Sequence, residues 1–316
     1  MKGNKILVAG GTGLLGVNLT RHLVGIGASV QSTYFSRQPP EHLKQYYKRY
    51  DFTKYDDCMD ATEGNDCVII CAVQASGVSG MMKNPTETIL PNLEIHAGLF
   101  EACSQNKVQK VLWVSSSTAY QESFHPIREE EMDLNQQPFN LYQGVGWVYR
   151  YLEQLAKCYN QKYGLHYNVI RTSNIYGPYD RFDDMKSHVI PALIKRAVQK
   201  EDPYIVWGNG CTVRDFVYVD DLVEGILRVL ERQYLPDPVN VSNGTPVSIK
   251  ELVQIILDIC DHQVIPQYDS TKPTAVPYRV LDNTKYDTLF GKIKRTSLED
   301  GIRKTVKWYL SPESRE

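Results

Sequence analysis

The 316-residue chain has no apolar run approaching the ~20 residues a membrane helix needs, and no marked excess of one charge. Thirty-five basic residues stand against 37 acidic ones, a net charge of −2. That balance gives no basic face for nucleic acid or for an anionic membrane surface. The seven cysteines (Cys58, Cys67, Cys71, Cys103, Cys158, Cys211, Cys260) form no C-x-x-C pair and no cluster with histidine. No metal site is expected from such a scatter, which suits reduced thiols in a cytoplasm better than a disulfide framework. The opening "MKGNKILVAGG" reaches glycine after too short an apolar stretch for a signal peptide. Internal repeats and low-complexity tracts are also missing. What remains, 42% apolar and 23% charged, is the composition of an ordinary globular protein. Its length suits one large α/β domain or two modest ones.

The first 170 residues alternate short β-branched runs with helical stretches. "KILVAG" (5–10), "SVQSTYF" (29–35), "CVIICAV" (67–73), "KVLWVSSS" (110–117) and "HYNVIR" (166–171) read as strands. The near-continuous apolar character of 67–73 and 110–114 fits strands buried on both faces of a parallel sheet. Between them, "GLLGVNLTRHLVGIG", "ETILPNLEIHAGLFEACSQN" and "VYRYLEQLAKCYNQKYG" carry helical spacing. This alternation predicts a doubly wound sheet. Beyond residue 172 a turn-rich segment, "TSNIYGPYDRFDD", precedes further strand and helix patterns. Ser248 and Glu251 in "VSIKEL" make a capping box there.

"VAGGTGLLGVNLTRHL" places Gly10, Gly13 and Gly16 at three-residue intervals, where the first strand feeds a helix. Glycine suits a sharp turn and close approach of backbone to a pyrophosphate, and the helix N-terminus offers unpaired N–H donors. In this context the motif predicts dinucleotide binding by Gly10, Thr12, Gly13, Leu14, Leu15 and Gly16. An NAD site usually ends the second strand with a carboxylate for the ribose 2′-hydroxyl. Here that end reads "TYFSRQ", so Ser36 and Arg37 favour the 2′-phosphate of NADP(H), with NAD(H) possible.

With these motifs in place, the chain resembles the extended short-chain dehydrogenase/reductases (the NAD-dependent epimerase/dehydratase family). It is most similar to the nucleotide-sugar branch and, within it, to the GDP-fucose synthases. The resemblance rests on the glycine loop, "RYDFT", "NLEIHAGLFEAC", "VLWVSSSTAY", "VIRTSNIYGP", "VWGNGCTVRDFVYVDDL", "VNVSNGTPVSIKEL" and "SLEDGIRKTVKWY", in that order along nearly the whole chain. It implies a Rossmann doubly wound parallel sheet (1–171) with a smaller C-terminal substrate-binding α/β part (172–316), interleaved around one cleft. It also implies that Asp51, with Phe52 beside it, meets the adenine, and that Asn92 is the family's helix asparagine. A nucleotide-diphosphate sugar is the implied substrate, held by Asn174, His188, Trp207 and Arg214, with "QASGVSG" beside the sugar. A homodimer through the helices around 90–106 and 147–163 is implied as well.

At the reacting end, Ser116 occupies the position of the hydroxyl that bonds the sugar C4 oxygen. Thr118 stands where the GDP-fucose synthases carry a catalytic cysteine, and His188 matches their histidine acid. The family's Tyr-x-x-x-Lys pair, however, is absent. In register its positions hold Val145 and Tyr149, and the other frame, from Tyr142, meets Gly146. Tyr142 and Tyr149 are therefore the candidate proton donors, each without an evident cation to lower a phenol pKa near ~10. A neutral phenol can still protonate an alkoxide during ketone reduction. Two readings follow: an NAD(P)-dependent epimerase/reductase of a 4-keto-6-deoxy or related nucleotide sugar, or a catalytically impaired relative that binds cofactor or nucleotide sugar as a sensor.

Overall fold

The computed structural model describes residues 3–183, 187–232, 234–272 and 274–315. The first half runs β1 (Lys5–Ala9), α1 (Leu14–Gly25), β2 (Ser29–Tyr34), β3 (Tyr47–Arg49), α2 (Tyr55–Thr62), β4 (Cys67–Ile70), α3 (Val78–Lys83), α4 (Ile89–Gln105) and β5 (Lys110–Ser116). Next come α5 (Gln143–Tyr163), β6 (Tyr167–Thr172), β7 (Asn174–Tyr176), α6 (Val189–Val198), β8 (Ile205–Trp207), β9 (Val213–Arg214), β10 (Phe216–Tyr218) and α7 (Val219–Glu231). The chain ends with β11 (Val239–Val241), β12 (Val247–Ser248), α8 (Ile249–Ile259), β13 (Gln267–Asp269), β14 (Tyr278–Arg279), α9 (Thr284–Phe290) and α10 (Leu298–Tyr309).

Seven strands form one parallel sheet in the order β11-β6-β5-β4-β1-β2-β3. Side chains alternate across it with the two-residue period of a strand. Ile6 and Val8 pack with Leu19 and Leu23 of α1 and Leu222 and Ile226 of α7. Leu7 and Ala9 face the opposite layer, with Leu99 and Phe100 of α4 and Leu152 of α5. Both faces are covered, which is why these strands read as unbroken apolar runs. A third core, with Leu193, Val206, Phe216, Leu252 and Ile302, joins α6, α8 and α10. The two parts interleave more deeply than a break at residue 171 describes. α7 packs on α1, and β11 is the seventh strand of the main sheet, paired with β6 through Val239↔Ile170. Among the described residues no helix is long and apolar enough to cross a membrane.

Short elements between 36 and 66 carry no sequence signal. β3 is only "YKR", held by its register on β2 (Ser32↔Tyr47) rather than by an apolar pattern. By contrast Ser248 caps α8 as expected: its Oγ accepts from the Glu251 N–H at 3.2 Å, and the Glu251 carboxylate accepts from the Ser248 N–H at 2.8 Å.

A buried network ties the ends of β5, β6 and β11 to α5. Arg171 meets Glu153 at 2.7 Å, and Ser115 Oγ donates to Glu153 at 2.7 Å. Arg171 also donates to the Tyr120 hydroxyl, which donates to Asn240 Oδ1, both at 2.8 Å.

On α4, His96 is buried against Trp113, with Nδ1 at 2.7 Å from the Asn92 carbonyl. Burial lowers its pKa to about 4, so the fold holds it neutral. The unfolded chain, with a histidine pKa near ~6.5, then binds the extra proton, and stability is lost as pH falls from about 6.5 toward about 4. Asp215, raised to about 6 by burial, acts in the opposite direction over the lower part of that window, so the comparison must be differential. Urea midpoints across this range are expected to fall less for His96→Gln than for the wild type. Parallel curves would exclude the histidine as the cause.

Candidate functional site

The glycine loop separates into two jobs. Gly10 has φ +90°, and a Cβ on it would lie 2.5 Å from the Ala72 backbone. On Gly16 a Cβ would lie 2.2 Å from the Gly10 carbonyl oxygen, so these two glycines are demanded by the fold itself. A Cβ on Gly13 would meet nothing nearer than that oxygen, at 3.5 Å. Gly13 is the extended N-cap of α1 and supplies no side-chain cap. It leaves an open cradle next to the helix's unpaired N–H groups, which fits a dinucleotide pyrophosphate. Thr33 Oγ1 accepts from the Gly10 N–H (3.0 Å), and the Tyr47 hydroxyl donates to the Gly11 carbonyl (2.9 Å), fixing the loop from β2 and β3. Thr12 is buried in the loop and Leu14 half-buried, while Leu15 turns into the apolar core with α7. Leu15 therefore leaves the loop its backbone rather than its side chain.

The candidates at the adenosine end differ in what they leave free. Ser36 is exposed, and Arg37 points both terminal nitrogens at the Tyr179 carbonyl, 3.3 Å from each. Burial lowers the Arg37 pKa, and the neighbouring Arg181 lowers it further. Arg181 acts on Arg37 together with the Asp180 and Asp183 carboxylates, which oppose the lowering. Asp51 accepts from the Thr53 hydroxyl at 2.7 Å, and that bond orients its carboxylate. The Phe52 ring is buried in the core with Cys58, so only its backbone is left for a ligand. Asn92 is closed on protein. It accepts from the Gln74 N–H (2.9 Å) and donates to the carbonyls of Gln74 (3.0 Å) and Thr88 (2.8 Å). A buried carboxamide has to satisfy both its ends, and here it does so by ordering the loop after β4.

At the carboxyl end of β5, Ser116 and Thr118 come together: the Thr118 hydroxyl and N–H both donate to Ser116 Oγ, at 3.0 and 3.1 Å. The start of α5 lies against this turn. Gly146 permits the approach, since a Cβ there would be 2.7 Å from the Thr118 carbonyl oxygen and 2.6 Å from Pro138. Tyr149 does not join the group. It is a core residue, 8% exposed and stacked on Trp113, with burial raising its phenol pKa to about 12. Without a lysine's charge, a ring at this position gains more from the apolar layer than from the cleft. Val145 is half-buried against that same layer.

Tyr142 ends the 3₁₀ turn Asn140–Tyr142 just before α5, in the field of Arg214 and of Arg279, a residue the sequence reading missed. Burial raises the Tyr142 pKa while the two arginines oppose the rise, so the phenol is neutral near pH 7. The parallel pairing of β14 with β9 sets Arg279 directly beside Arg214 in register. Both are buried. Arg214 donates to the Val213 carbonyl, and Arg279 Nη1 to the carbonyls of Ser117 (2.9 Å), Gln121 (3.2 Å) and Tyr120 (3.4 Å). Arg279 Nε and Nη2 are buried without a hydrogen-bond partner among the described residues. Adjacent buried guanidinium groups with carbonyls as partners form a site for an anion. "PYRVLD" gives no strand signal, because a two-residue strand exists only through its tertiary pairing.

The remaining substrate-side candidates sit on β7, on β8 and just before α6. The Asn174 side chain donates to the Asp215 carbonyl (3.2 Å), and Trp207 on β8 is 43% exposed. His188 precedes α6 with its side chain 62% exposed, and its Nδ1 lies 3.3 Å from the buried Asp180 carboxylate, whose hydrogen bond raises the histidine pKa. Among the described residues no group of three or more His, Cys, Asp or Glu side chains is placed to hold a metal.

The chain is similar to known proteins along nearly its whole length. A GDP-L-fucose synthase of Escherichia coli K12 is 28% identical over 100% of this chain and 99% of its own. A probable GDP-L-fucose synthase of Oryza sativa subsp. japonica is 29% identical, over 98% of this chain and 93% of its own. Among solved structures, a UDP-glucose 4-epimerase of Thermotoga maritima shares the fold, with a TM-score of 0.86 at 24% identity across 99% of this chain and 100% of that one. Residues 6–242 match the NAD dependent epimerase/dehydratase family, and with its seven-stranded parallel sheet and its cradle for an NAD(P) dinucleotide the chain belongs to that family.

Proposed function

We propose that the protein is an NADP(H)-dependent epimerase/reductase of a nucleotide-diphosphate sugar, acting on a 4-keto-6-deoxy or related sugar. The observation that carries this reading is the in-register pair Arg214 and Arg279 beside the Ser116–Thr118 turn. It joins an anion site to paired hydroxyls at the mouth of a dinucleotide cradle. A reduced nicotinamide dinucleotide bound there supplies a hydride. Thr12 and Gly13 hold its pyrophosphate on the turn that Gly10 and Gly16 make possible, Asp51 meets the adenine, and Asn92 orders the loop beside it. Ser116 and Thr118 orient the sugar carbonyl, while Arg214 takes the diphosphate. Trp207 and Asn174 bound the sugar-nucleotide side, and His188, backed by Asp180, moves a proton where epimerisation requires it.

Arg37 with Arg181 favours the 2′-phosphate. Arg37→Ala is expected to weaken NADPH binding by about 10- to 100-fold and leave NADH binding unchanged. Equal losses for both cofactors would remove the preference. The enzyme reading itself is tested by incubating the protein and NADPH with GDP- and dTDP-4-keto-6-deoxy sugars, following nicotinamide absorbance and product mass. Tight NADPH binding with no product across the panel would support the sensor reading, which the replacement of the family's Tyr-x-x-x-Lys pair by Val145 and the buried Tyr149 favours.

The protein also acts as a cytoplasmic homodimer on this reading, through exposed Leu90 of α4 and Trp147 and Tyr151 of α5. Light scattering should give twice the chain mass, and Tyr151→Glu should shift it toward one.

A further inference from the structure

We infer that Arg279 supplies the positive charge that α5 lacks, and that Tyr142, held in its field, is the proton donor of the reaction. The inference rests on the reductase reading above and names the acid that reading needs. Three placements carry it. The turn that ends at Tyr142 enters α5 against Thr118, because Gly146 lets the helix start touch that residue's backbone. Arg279 is pinned by one nitrogen to the carbonyls of Ser117, Tyr120 and Gln121, the segment that follows Ser116. Its other two nitrogens are buried without a partner among the described residues, and Tyr142 and Arg279 lie within each other's electrostatic reach.

The charged and titratable groups facing Tyr142 are Arg214 and Arg279; those facing Arg279 are Tyr142, Arg214, Tyr120 and Glu122. The two arginines divide the work. Arg279 is fixed to the loop that carries the reacting hydroxyls. Arg214 bonds only to its own strand neighbour's carbonyl among the described partners, so its remaining donors serve the diphosphate.

The chemistry balances as a ketone reduction. A hydride from the reduced nicotinamide dinucleotide adds to the carbonyl carbon, and the C=O π pair moves to oxygen. The Tyr142 O–H bond breaks and its proton joins that oxygen, giving the alcohol. The cofactor is oxidised by two electrons, the ketone is reduced, and solvent reprotonates the phenolate beside Arg279. A phenol that starts neutral is the right form for this direction, and the adjacent guanidinium stabilises the anion that donation creates.

The test has a binding arm, a kinetic arm and a spectroscopic arm. Tyr142→Phe is expected to lower kcat by about 10²- to 10⁴-fold with GDP affinity by calorimetry unchanged, and Arg279→Gln to lower kcat by a similar factor while weakening GDP less than Arg214→Gln does. Arg214→Gln is expected to weaken GDP by about tenfold or more. Incorporating 3,5-difluorotyrosine at position 142 moves its ionisation toward neutrality, where fluorine NMR can follow it. Arg279→Gln should raise that pKa by about one unit or more, and Arg279→Lys should restore most of the shift. The inference is overturned if Arg279→Gln leaves the fluorotyrosine pKa unmoved. It is equally overturned if that variant weakens GDP as much as Arg214→Gln does while kcat stands. Absence of turnover in the wild type would instead count against the reductase reading, and the fluorine titration would still decide whether Arg279 governs the phenol.

Discussion

Replacing Glu153 by alanine is expected to lower the unfolding free energy by about 3–5 kcal/mol, among the largest single-residue effects in this chain. Glu153 and Arg171 each have side chains only 5% exposed and meet at 2.7 Å. Truncating the carboxylate leaves a buried guanidinium whose remaining partner is a phenol, and it strips the Ser115 hydroxyl of its acceptor. The cost is that of an uncompensated buried charge rather than the worth of the pair itself. The double variant Glu153→Leu with Arg171→Met should therefore recover much of the loss. A surface pair such as Lys44–Glu41, 3.1 Å apart but exposed on both sides, should show an effect of at most about 1 kcal/mol when broken. Urea denaturation at low and high salt separates the cases, since the buried pair is screened little. A loss below about 1 kcal/mol for Glu153→Ala would mean that water reaches Arg171. The network also bears on function, because Ser115 directly precedes Ser116 at the end of β5.

The second large effect concerns the glycine loop. Gly13→Ala is expected to leave the urea midpoint unchanged and to weaken NADPH by about 100-fold. Its new Cβ finds 3.5 Å of space in the protein, so only a ligand's pyrophosphate pressed against the helix start would meet it. Gly16→Ala should behave oppositely. There the Cβ would stand 2.2 Å from the Gly10 carbonyl and 2.7 Å from the Gly11 Cα, so the turn must open before any ligand arrives, and stability falls together with binding. Calorimetric titration alongside denaturation distinguishes these outcomes. If Gly13→Ala destabilised the fold as much as Gly16→Ala, the division between fold glycines and ligand glycine would be wrong. If it bound NADPH normally, the pyrophosphate would have to lie elsewhere.

Much of the architecture was legible in the sequence because it is written in local pattern. Strands buried on both faces read as apolar runs, the loop glycines sit at the strand-to-helix junction, and Ser248 with Glu251 announces a helix start three residues apart. The resemblance that made Tyr149 a candidate proton donor fixed its register but not its surroundings, and the structure turns that ring into the core. Periodicity says that a residue points away from solvent or toward it, but not whether a core or a cleft lies on that side. For Tyr149 the neighbouring layer of Trp113 and His96 decided the matter.

The sequence by itself determined the doubly wound sheet, the dinucleotide loop and the absence of Tyr-x-x-x-Lys from the helix that begins at "QGVGWVYRYLE". Only the tertiary structure decided what stands beside the phenol that remains. Arg279 lies 137 positions beyond Tyr142 in the chain and comes within its electrostatic reach because two-residue strands pair in register, placing it next to Arg214. A charge supplied from another element leaves no spacing to read along the chain. Its field falls off with distance in space, and only the fold sets that distance.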